Sequence, residues 1–237
     1  MRMKFKPWAR EELETSPFYI DNPCDYKGKW KTAFERQAPI YVELGCGKGN
    51  FIAQISKKNQ EINYIAADLV DAMLGMAKRN VEAKYGIRNS TVAEEVEDEI
   101  EKQKVVKNLK LIRYDISRIS DIFDKQDSIS RIYINFCNPW PRGKHHKKRL
   151  THERQLEQYA KFLNGEIFFK TDDDGLFEDS IKYFERSGYL IEKITRDLAS
   201  ELDFWNGESN IITEHERMFM NDGIKIKALI AKNIIDN

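Results

Sequence analysis

The stretch that decides the fold is PIYVELGCGKGNF, residues 39–51. Its apolar first half predicts a buried β-strand, and the strand runs directly into a turn with three alternating glycines. Phe51, Ile52 and Ile55 then recur at helical spacing, which predicts a helix after the turn. Because glycine lets the backbone turn tightly and approach a ligand closely, the pattern indicates a strand–turn–helix unit that binds a ligand.

Outward from this unit, strand-like and helix-like segments alternate to the end of the chain. The further predicted strands are INYIAADL, NLKLIRYDI, SRIYINFCN, EIFFKTD, YLIEKITRDL and IKIKALIAK. The further predicted helices are VDAMLGMAKRN, THERQLEQYAKFLNG with Thr151 as its cap and Gly165 just past its end, and DGLFEDSIKYFERSG. This alternation predicts an α/β fold with a seven-stranded, mostly parallel sheet and helices on both faces. Ligands of such sheets bind at the carboxyl ends of the strands.

The composition indicates one globular domain, with 237 residues of which 41% are hydrophobic. No apolar run reaches the roughly 18 residues that a membrane span needs, and the basic start has no apolar core of a secretory signal. The three cysteines are far apart, so we expect neither a zinc site nor a disulfide framework. We therefore expect a cytoplasmic protein without a metal, a membrane partner or a DNA partner, either a monomer or a homodimer.

The charge is zero overall but strongly segregated along the chain. We expect residues 1–38 to be an irregular basic and aromatic arm with a short helix near Glu11, and residues 39–237 to be the main domain. Residues 81–107 are a charged insertion whose acidic run EEVEDEIE suits a solvated helix face. The block RGKHHKKR, residues 142–149, carries five Lys or Arg and two His, so it can bind a polyanion locally.

Two acidic residues at predicted strand ends suit a nucleoside ligand. Asp68 ends the second strand about twenty residues after the glycine turn, where a carboxylate can accept hydrogen bonds from ribose hydroxyls. A nicotinamide-binding turn would carry glycine at position 50, and this chain has Asn50. Asp115 ends the third strand, where it either accepts from an adenine amino group or caps the following turn.

The fourth strand runs into Asn138-Pro139-Trp140-Pro141, directly before the basic block. The prolines fix φ and remove backbone donors, so they predict a stiff elbow at a strand end. Trp140 either offers a flat apolar surface there or belongs to the core.

Four segments together carry a resemblance to a known family. The turn E-x-G-x-G-x-G resembles motif I of class I S-adenosylmethionine-dependent methyltransferases, and the elbow resembles that of nitrogen methyltransferases. YVELGCGKGNF, NFCNPWPRGKHHKKRLTH, FFKTDDDGLFEDS and IITEHE resemble, in order and spacing, the bacterial tRNA (guanine-N7-)-methyltransferase family over nearly the whole chain. The resemblance implies a Rossmann-like methyltransferase fold, S-adenosylmethionine as cofactor, and tRNA as substrate, methylated at N7 of a variable-loop guanosine.

The resemblance also implies the site residues. The implied cofactor contacts are Glu43, Gly45, Gly47, Asp68, Asp115 and Asn138. The implied contacts to RNA and guanine are Arg142, Lys144, His145, His146, Lys147, Lys148, Arg149, Asp172, Thr213 and Glu216. We expect Asp172 and Asn138 to be the catalytic positions. The family commonly has Asp where this chain has Asn138, and often Glu where it has Asp68, so a general base at the elbow is in doubt.

A base is not required, because guanine N7 has a free lone pair and no proton. In-line placement and negative charge near the developing cation are then expected to supply the rate. Other interpretations stay open at this point. Either one of Asp172, Asp173 and Asp174 caps a helix, or the three aspartates bind a metal. His145 and His146 either contact phosphate or solvent, or they bind a metal. Cys46 and Cys137 are expected to be packing residues. The rival functions are a small-molecule methyltransferase and a non-catalytic RNA-binding module.

Overall fold

A computed structural model describes residues 5–87, 105–201, 203–207 and 210–234. The strands are β1 (Tyr19–Ile20), β2 (Ile40–Leu44), β3 (Asn63–Asp68), β4 (Leu109–Arg113), β5 (Ile129–Asn135), β6 (Leu163–Thr171), β7 (Tyr189–Thr195) and β8 (Lys227–Asn233). The α-helices are α1 (Pro7–Glu14), α2 (Asn50–Lys58), α3 (Asp71–Tyr85), α4 (Glu153–Ala160), α5 (Asp174–Arg186) and α6 (Glu214–Asn221). Within the described part, no helix is long and apolar enough to cross a membrane.

The strands form one sheet in the order β1-β4-β3-β2-β5-β6-β8-β7. Neighbours from β1 to β6 pair in parallel, and β8 pairs antiparallel with both β6 and β7. The predicted mostly parallel α/β sheet is confirmed, with eight described strands rather than seven. The strand order reverses between β2 and β5, and a ligand crevice is expected at their carboxyl ends.

Both faces of the sheet are buried, as the predicted helices on both sides require. Ile132 and Ile134 of β5 belong to one hydrophobic cluster, and Tyr133 between them belongs to a second cluster. Because successive side chains of a strand point to opposite faces, the two clusters lie on opposite sides of the sheet. Burial on both faces of the sheet explains why the predicted strands are apolar along almost their whole length.

In the first 38 residues the expected short helix near Glu11 is confirmed as α1, but the arm is more ordered and more buried than expected. Helix α1 packs against α3 with Ala9 and Leu13 fully buried, and β1 adds an edge strand beside β4. Trp30 is also fully buried and donates its ring N–H to the carbonyl of Ile122 at 2.7 Å. Isolated aromatic residues without a period can therefore be core residues, which a periodicity argument misses.

Three predicted boundaries are corrected by the structure. Helix α4 begins at Glu153 with His152 as its cap, while Thr151 is buried and bonded to Ser180. Gly165 lies inside β6, where a Cβ atom would stand 2.0 Å from the carbonyl oxygen of Ser130. Helix α3 continues through Tyr85, five residues past the predicted helix VDAMLGMAKRN. The acidic run 94–101 lies outside the described residues.

Candidate active site

The glycine turn joins the end of β2 to the start of α2. Gly45, Gly47 and Gly49 all have left-handed φ values, of 77°, 54° and 72°. At Gly49 a side chain is also excluded by space, because a Cβ atom would lie 2.6 Å from the Cβ of Ala77. The amides of Gly45 and Cys46 both donate to the carbonyl of Ala67 on β3, at 2.9 and 3.0 Å. The turn is therefore fixed by its own backbone and by the neighbouring strand.

Asp68 lies at the end of β3 beside this turn. Its carboxylate accepts hydrogen bonds from the backbone amides of Gly47 at 3.0 Å and Val70 at 2.9 Å. Burial raises the pKa of this carboxyl group, and the backbone donors oppose that rise. Each oxygen has a second lone pair, so the oriented carboxylate can still accept from a diol.

A cleft of about 960 Å³ opens at these strand ends. Its lining includes Gly45, Asp68, Met73, Asp115, Phe136, Asn138, Trp140, Lys147, Lys148 and Arg154. Its volume lies at the upper end of the range of about 300–1,000 Å³ that is usual for small-molecule sites. The structure therefore brings the predicted nucleoside-binding residues, the elbow and part of the basic block to a single cavity.

Both interpretations of Asp115 are compatible with its position. Its carboxylate accepts from the amide of Ser117 at 2.9 Å and so caps the short 3₁₀ helix Ile116–Asp121. The residue also lines the cleft next to Asp68. The cap is confirmed, and the contact to an adenine amino group stays a prediction.

Glu43 lies beneath the turn rather than in the cleft. It is 3% exposed, and it accepts a hydrogen bond from the Asn135 side chain at 3.0 Å. Its second oxygen has no partner within the described part of the chain. Burial raises the pKa of Glu43 to about 8, while the bond from Asn135 and the charge of Lys170 oppose the rise. The predicted direct contact of Glu43 with the cofactor is untested.

The elbow begins at Phe136, two residues before the predicted start at Asn138, because β5 ends at Asn135. Phe136 and Trp140 both have left-handed φ values, of 50° and 43°, which are strained for residues with a side chain. The Asn138 side-chain oxygen accepts from the amide of Trp140 at 3.0 Å. Trp140 is half-buried and lines the cleft, so it forms a wall and is not a core residue. Such strain clusters at functional sites, where the surroundings hold it in place.

The basic block forms a 3₁₀ helix, Gly143–Lys148, with most of its cations exposed. Exposed members are Arg142, Lys144, Lys147 and Lys148, while His145 and His146 are half-buried. Lys148 lies 4.8 Å from the centre of the Trp140 ring, and His145 packs edge-on against that ring at 5.7 Å. No group of three potential metal ligands occurs among the described residues.

Arg149 differs from the exposed members of the predicted RNA-contacting strip. Its side chain is 4% exposed, and it donates to the carbonyl of Pro139 and to Asp179, both at 2.7 Å. The guanidinium is thus engaged within the protein, and its predicted contact with RNA is untested. Arg149 holds the elbow against α5.

The three consecutive aspartates have three different environments. Asp173 caps α5 by accepting from the amide of Leu176 at 2.6 Å, which confirms that one of them is a cap. Asp174 pairs with Lys227 at 2.6 Å. Asp172 is half-buried, and its backbone carbonyl accepts from Lys227 at 2.8 Å. Within the described part of the chain, its carboxylate has no hydrogen-bond donor.

Thr213 and Glu216 form a capping box at the start of α6. The Thr213 hydroxyl accepts from the amide of Glu216 at 3.1 Å. Glu216 is 2% exposed, and its carboxylate accepts from Lys170 on β6 at 2.6 Å. Their predicted contact with substrate is untested, and the structure shows them engaged within the protein.

Two polar residues behind the site were not predicted from the sequence, the half-buried Asn135 and the buried Lys170. They are direct neighbours in the register of β5 and β6. The available signal was Lys170 inside the apolar run EIFFKTD, because a lysine is seldom buried unless it is paired. A lysine in a buried strand therefore indicated an unseen carboxylate partner.

The cysteines have no catalytic character. Cys46 is buried in a hydrophobic cluster, as expected for a packing residue. Cys137 is half-buried and lines the cleft, where burial raises the pKa of its thiol to about 12. A thiol with that pKa remains protonated near neutral pH and is a poor nucleophile.

Comparison with known proteins places the chain among methyltransferases. The profile of a family described as "putative methyltransferase" matches residues 37–229. A tRNA (guanine-N(7)-)-methyltransferase of Clostridium beijerinckii is 53% identical over 98% of both chains. One of Clostridium perfringens is 50% identical over 99% of this chain and 100% of its own.

Solved structures share the fold at much lower identity. A 16S rRNA methyltransferase has a TM-score of 0.52 at 12% identity, covering 97% of this chain and 94% of its own. An aminoglycoside resistance methyltransferase has a TM-score of 0.52 at 14% identity, covering 86% and 91%. The family is decided by the curated relatives, which match nearly the whole length at about half identity. The chain therefore belongs to the tRNA (guanine-N7-)-methyltransferase family.

Proposed function

We propose that this protein transfers a methyl group from S-adenosylmethionine to N7 of a guanosine in tRNA, in the variable loop and in the cytoplasm. One observation carries the proposal. A single cleft joins a nucleoside-type glycine turn and Asp68 to a stiff elbow and to Lys147 and Lys148. A small-molecule enzyme has no use for exposed cations at its mouth, and a binding module has no use for the oriented Asp68.

The residues of the cleft fit S-adenosylmethionine. The Asp68 carboxylate, oriented by two backbone amides, is suited to two ribose hydroxyls. Asp115 has room beside its capping bond to accept from an adenine amino group. Gly45 brings bare backbone to the cleft wall, the Gly47 amide orients Asp68, and Glu43 contributes polarity from below. When bound, the cofactor supplies an electrophilic methyl group.

Catalysis then depends on placement and charge. Guanine N7 has a lone pair and no proton, so no residue has to act as a base. Asn138 agrees with this, because an amide cannot accept the proton and its oxygen is bonded to the amide of Trp140. The elbow fixes the wall against which the two reactants meet, which is the main source of rate in a positioned transfer.

Asp172 is the best candidate for the guanine contact. Its unpartnered, half-buried carboxylate can accept from the ring N1–H and the amino group of guanine. Methylation makes the ring cationic, so a fixed carboxylate nearby stabilises the charge that develops in the transition state. Lys170 lies two residues before Asp172. It donates hydrogen bonds to the segment that carries Thr213 and Glu216.

The exposed cations supply affinity for RNA without reading its sequence. Arg142, Lys144, Lys147 and Lys148 can contact phosphates, which positions the RNA but does not specify a base. His145 and His146 lie among them and can add contacts at the same surface. The target base has to leave its stacking partners to reach the cleft. Choice of one guanosine then depends on the shape of the folded tRNA.

A transfer assay with three compared substrates tests the proposal. The protein is incubated with methyl-labelled S-adenosylmethionine and bulk tRNA, bulk rRNA or a metabolite extract. We expect label in tRNA alone, with 7-methylguanosine as the product and the variable loop as its position. Label in small molecules would identify a small-molecule methyltransferase, and tRNA binding without any transfer would identify a binding module.

A further inference from the structure

We infer that Lys170 is a positioning residue for the transfer, which holds α6 over the site through its ion pair with Glu216. The effect on catalysis rests on the proposed function, whereas the contact between Lys170 and Glu216 does not. Lys170 lies on β6 two residues before Asp172, and its side chain is 2% exposed. We do not expect a side chain this deeply buried to contact the cofactor or RNA directly.

All three ammonium donors of Lys170 are used by one short segment. Its Nζ donates to Glu216 at 2.6 Å, to the carbonyl of Ile211 at 3.0 Å and to the side chain of Asn210 at 3.1 Å. Glu216 in turn accepts from the side chain of Asn210 at 2.5 Å. A lysine has three donors in total, so this residue is fully committed to residues 210–216.

Helix α6 has few buried anchors. Among its residues, all of which the structure describes, only Glu216 is buried. Met218 and Met220 are 48% and 40% exposed, while the partly buried Phe219 packs on a core cluster with its ring 6.0 Å from that of Phe136. The ion pair therefore supplies the fully buried anchor of the helix, beside the apolar contact of Phe219.

The position of α6 matters because the helix contacts both the start of α2 and the elbow. Glu214 accepts from the side chain of Asn50, the first residue after the glycine turn, at 3.0 Å. His215 stacks on Phe136 of the elbow, with ring centres 6.3 Å apart and 25° between the planes. The Phe136 amide also donates to the carbonyl of Lys170 at 2.9 Å. Lys170 thus joins α6, the elbow and the strand that carries Asp172.

Stability alone does not explain a pair of this kind. Two buried charges lose their hydration, and an apolar pair of similar size is often equally stable. A charged pair adds a defined orientation, because three hydrogen bonds fix one arrangement of residues 210–216 relative to the sheet. We therefore expect loss of Lys170 to displace α6 and to slow the transfer, even where the fold is intact.

The test compares Lys170→Met with the double variant Lys170→Met/Glu216→Gln. The single variant leaves a buried carboxylate unpaired and is expected to unfold at a lower temperature. The double variant removes that carboxylate charge and retains a residue suited to the capping box. We expect it to regain most of the thermal stability and cofactor affinity of the parent. Its single-turnover rate with saturating tRNA should remain lower by about tenfold or more, as expected for a misplaced reactant.

Hydrogen exchange separates this inference from the proposed function. Amides of α6 should exchange faster in both variants, while those of β5 and β6 keep the parental protection. The matched control is Lys78→Met, which breaks another buried pair, Lys78 with Glu82 at 2.7 Å, on a helix away from the elbow. It should lower stability without changing the single-turnover rate or α6 exchange.

Unchanged α6 exchange, or a double variant with the parental rate, would show that the ion pair has a structural role only. If the parent itself transfers no methyl group to tRNA, the proposed function fails, and the exchange experiment still decides whether Lys170 holds α6.

Discussion

Two regions near the strand ends are built by different kinds of interaction. The proposed cofactor wall, residues 45–49 with Asp68, is held by backbone amides and carbonyls of β2, β3 and the turn between β2 and α2. The proposed substrate wall, residues 210–216 with Asp172, meets the elbow where His215 stacks on Phe136, and it depends on a buried side-chain pair whose members are 46 residues apart. Backbone geometry makes the first wall rigid wherever the motif occurs. The second wall depends on two side chains that only the complete fold brings together.

The largest expected effect is on the cofactor wall. Asp68→Ala should lower cofactor affinity at least tenfold, because hydrogen bonds to a charged group contribute about 1.5–3 kcal/mol each. Isothermal titration calorimetry measures the affinity, and Asp71→Ala is the control, since Asp71 pairs with Arg113 outside the cleft lining. Thermal unfolding without cofactor must show that the turn still folds, because Asp68 also bonds Gly47. Parental affinity in a folded variant would remove Asp68 from the cofactor site.

The next effect belongs to the substrate wall. Asp172→Ala should lower the single-turnover rate with saturating tRNA by about tenfold, because it removes both a guanine contact and a negative charge near the developing cation. Asp172→Asn keeps an acceptor and removes only the charge, so it should lie between parent and Ala variant. Cofactor affinity should stay the same in both. A parental rate for Asp172→Ala would move the guanine pocket away from this residue.

The third effect lies at the cleft mouth, between the walls. Replacing Lys147 and Lys148 together by Ala should weaken tRNA binding and reduce the slope of log affinity against log salt by about 1.4, for two single-strand phosphates. Lys57→Ala/Lys58→Ala is the matched control, because these two adjacent lysines are exposed on α2. Binding measured over a salt series gives the slope. Equal slopes for the Lys147/Lys148 variant and the parent would place the strip away from RNA.

A smaller effect is expected from the buried carboxyl group beneath the cofactor wall. The pKa of Glu43 is raised to about 8, so the folded protein keeps this proton up to that pH. The unfolded chain loses it near pH ~4.3, and stability therefore falls as the pH rises between these values. Glu43→Gln removes this titration and keeps an acceptor for Asn135. The thermal midpoint of Glu43→Gln minus that of the parent should increase as the pH rises from about 4.5 to about 8, and it should then stay constant. A difference that does not change with pH would contradict the raised pKa.

The smallest effect is expected at the elbow. Asn138→Asp restores the residue common in the family, and the single-turnover rate should stay within about tenfold of the parent, because a working base contributes about 10²–10⁴-fold. A gain of more than about a hundredfold would overturn transfer without a base. The elbow itself should keep its shape, since it is held by Arg149 and by the side-chain oxygen of Asn138, which an aspartate oxygen can replace.

The local motifs predicted the cofactor wall well because their interactions lie close in sequence. Glycines with left-handed φ, an acidic residue at the next strand end and Asp173 as a cap all follow from neighbours within a few residues or one strand–helix unit. The elbow was recognised, but its start was misplaced, because the strained Phe136 ends β5 against the apolar pattern. The burial of Arg149 was not predicted, for a related reason. Charge at a surface-like position does not reveal a buried partner such as Asp179.

By itself, the sequence determined the α/β order of elements, the glycine turn, Asp68 and the family, because these depend on periodicity, on backbone requirements of glycine and on a motif set with fixed spacing. Only the tertiary structure decided that the aromatic first residues belong to the core, that Glu43 lies below the cleft, and that Lys170 meets Glu216. Those facts depend on contacts between distant segments. Burial and pairing energies are properties of such contacts, and no local pattern in the chain contains them.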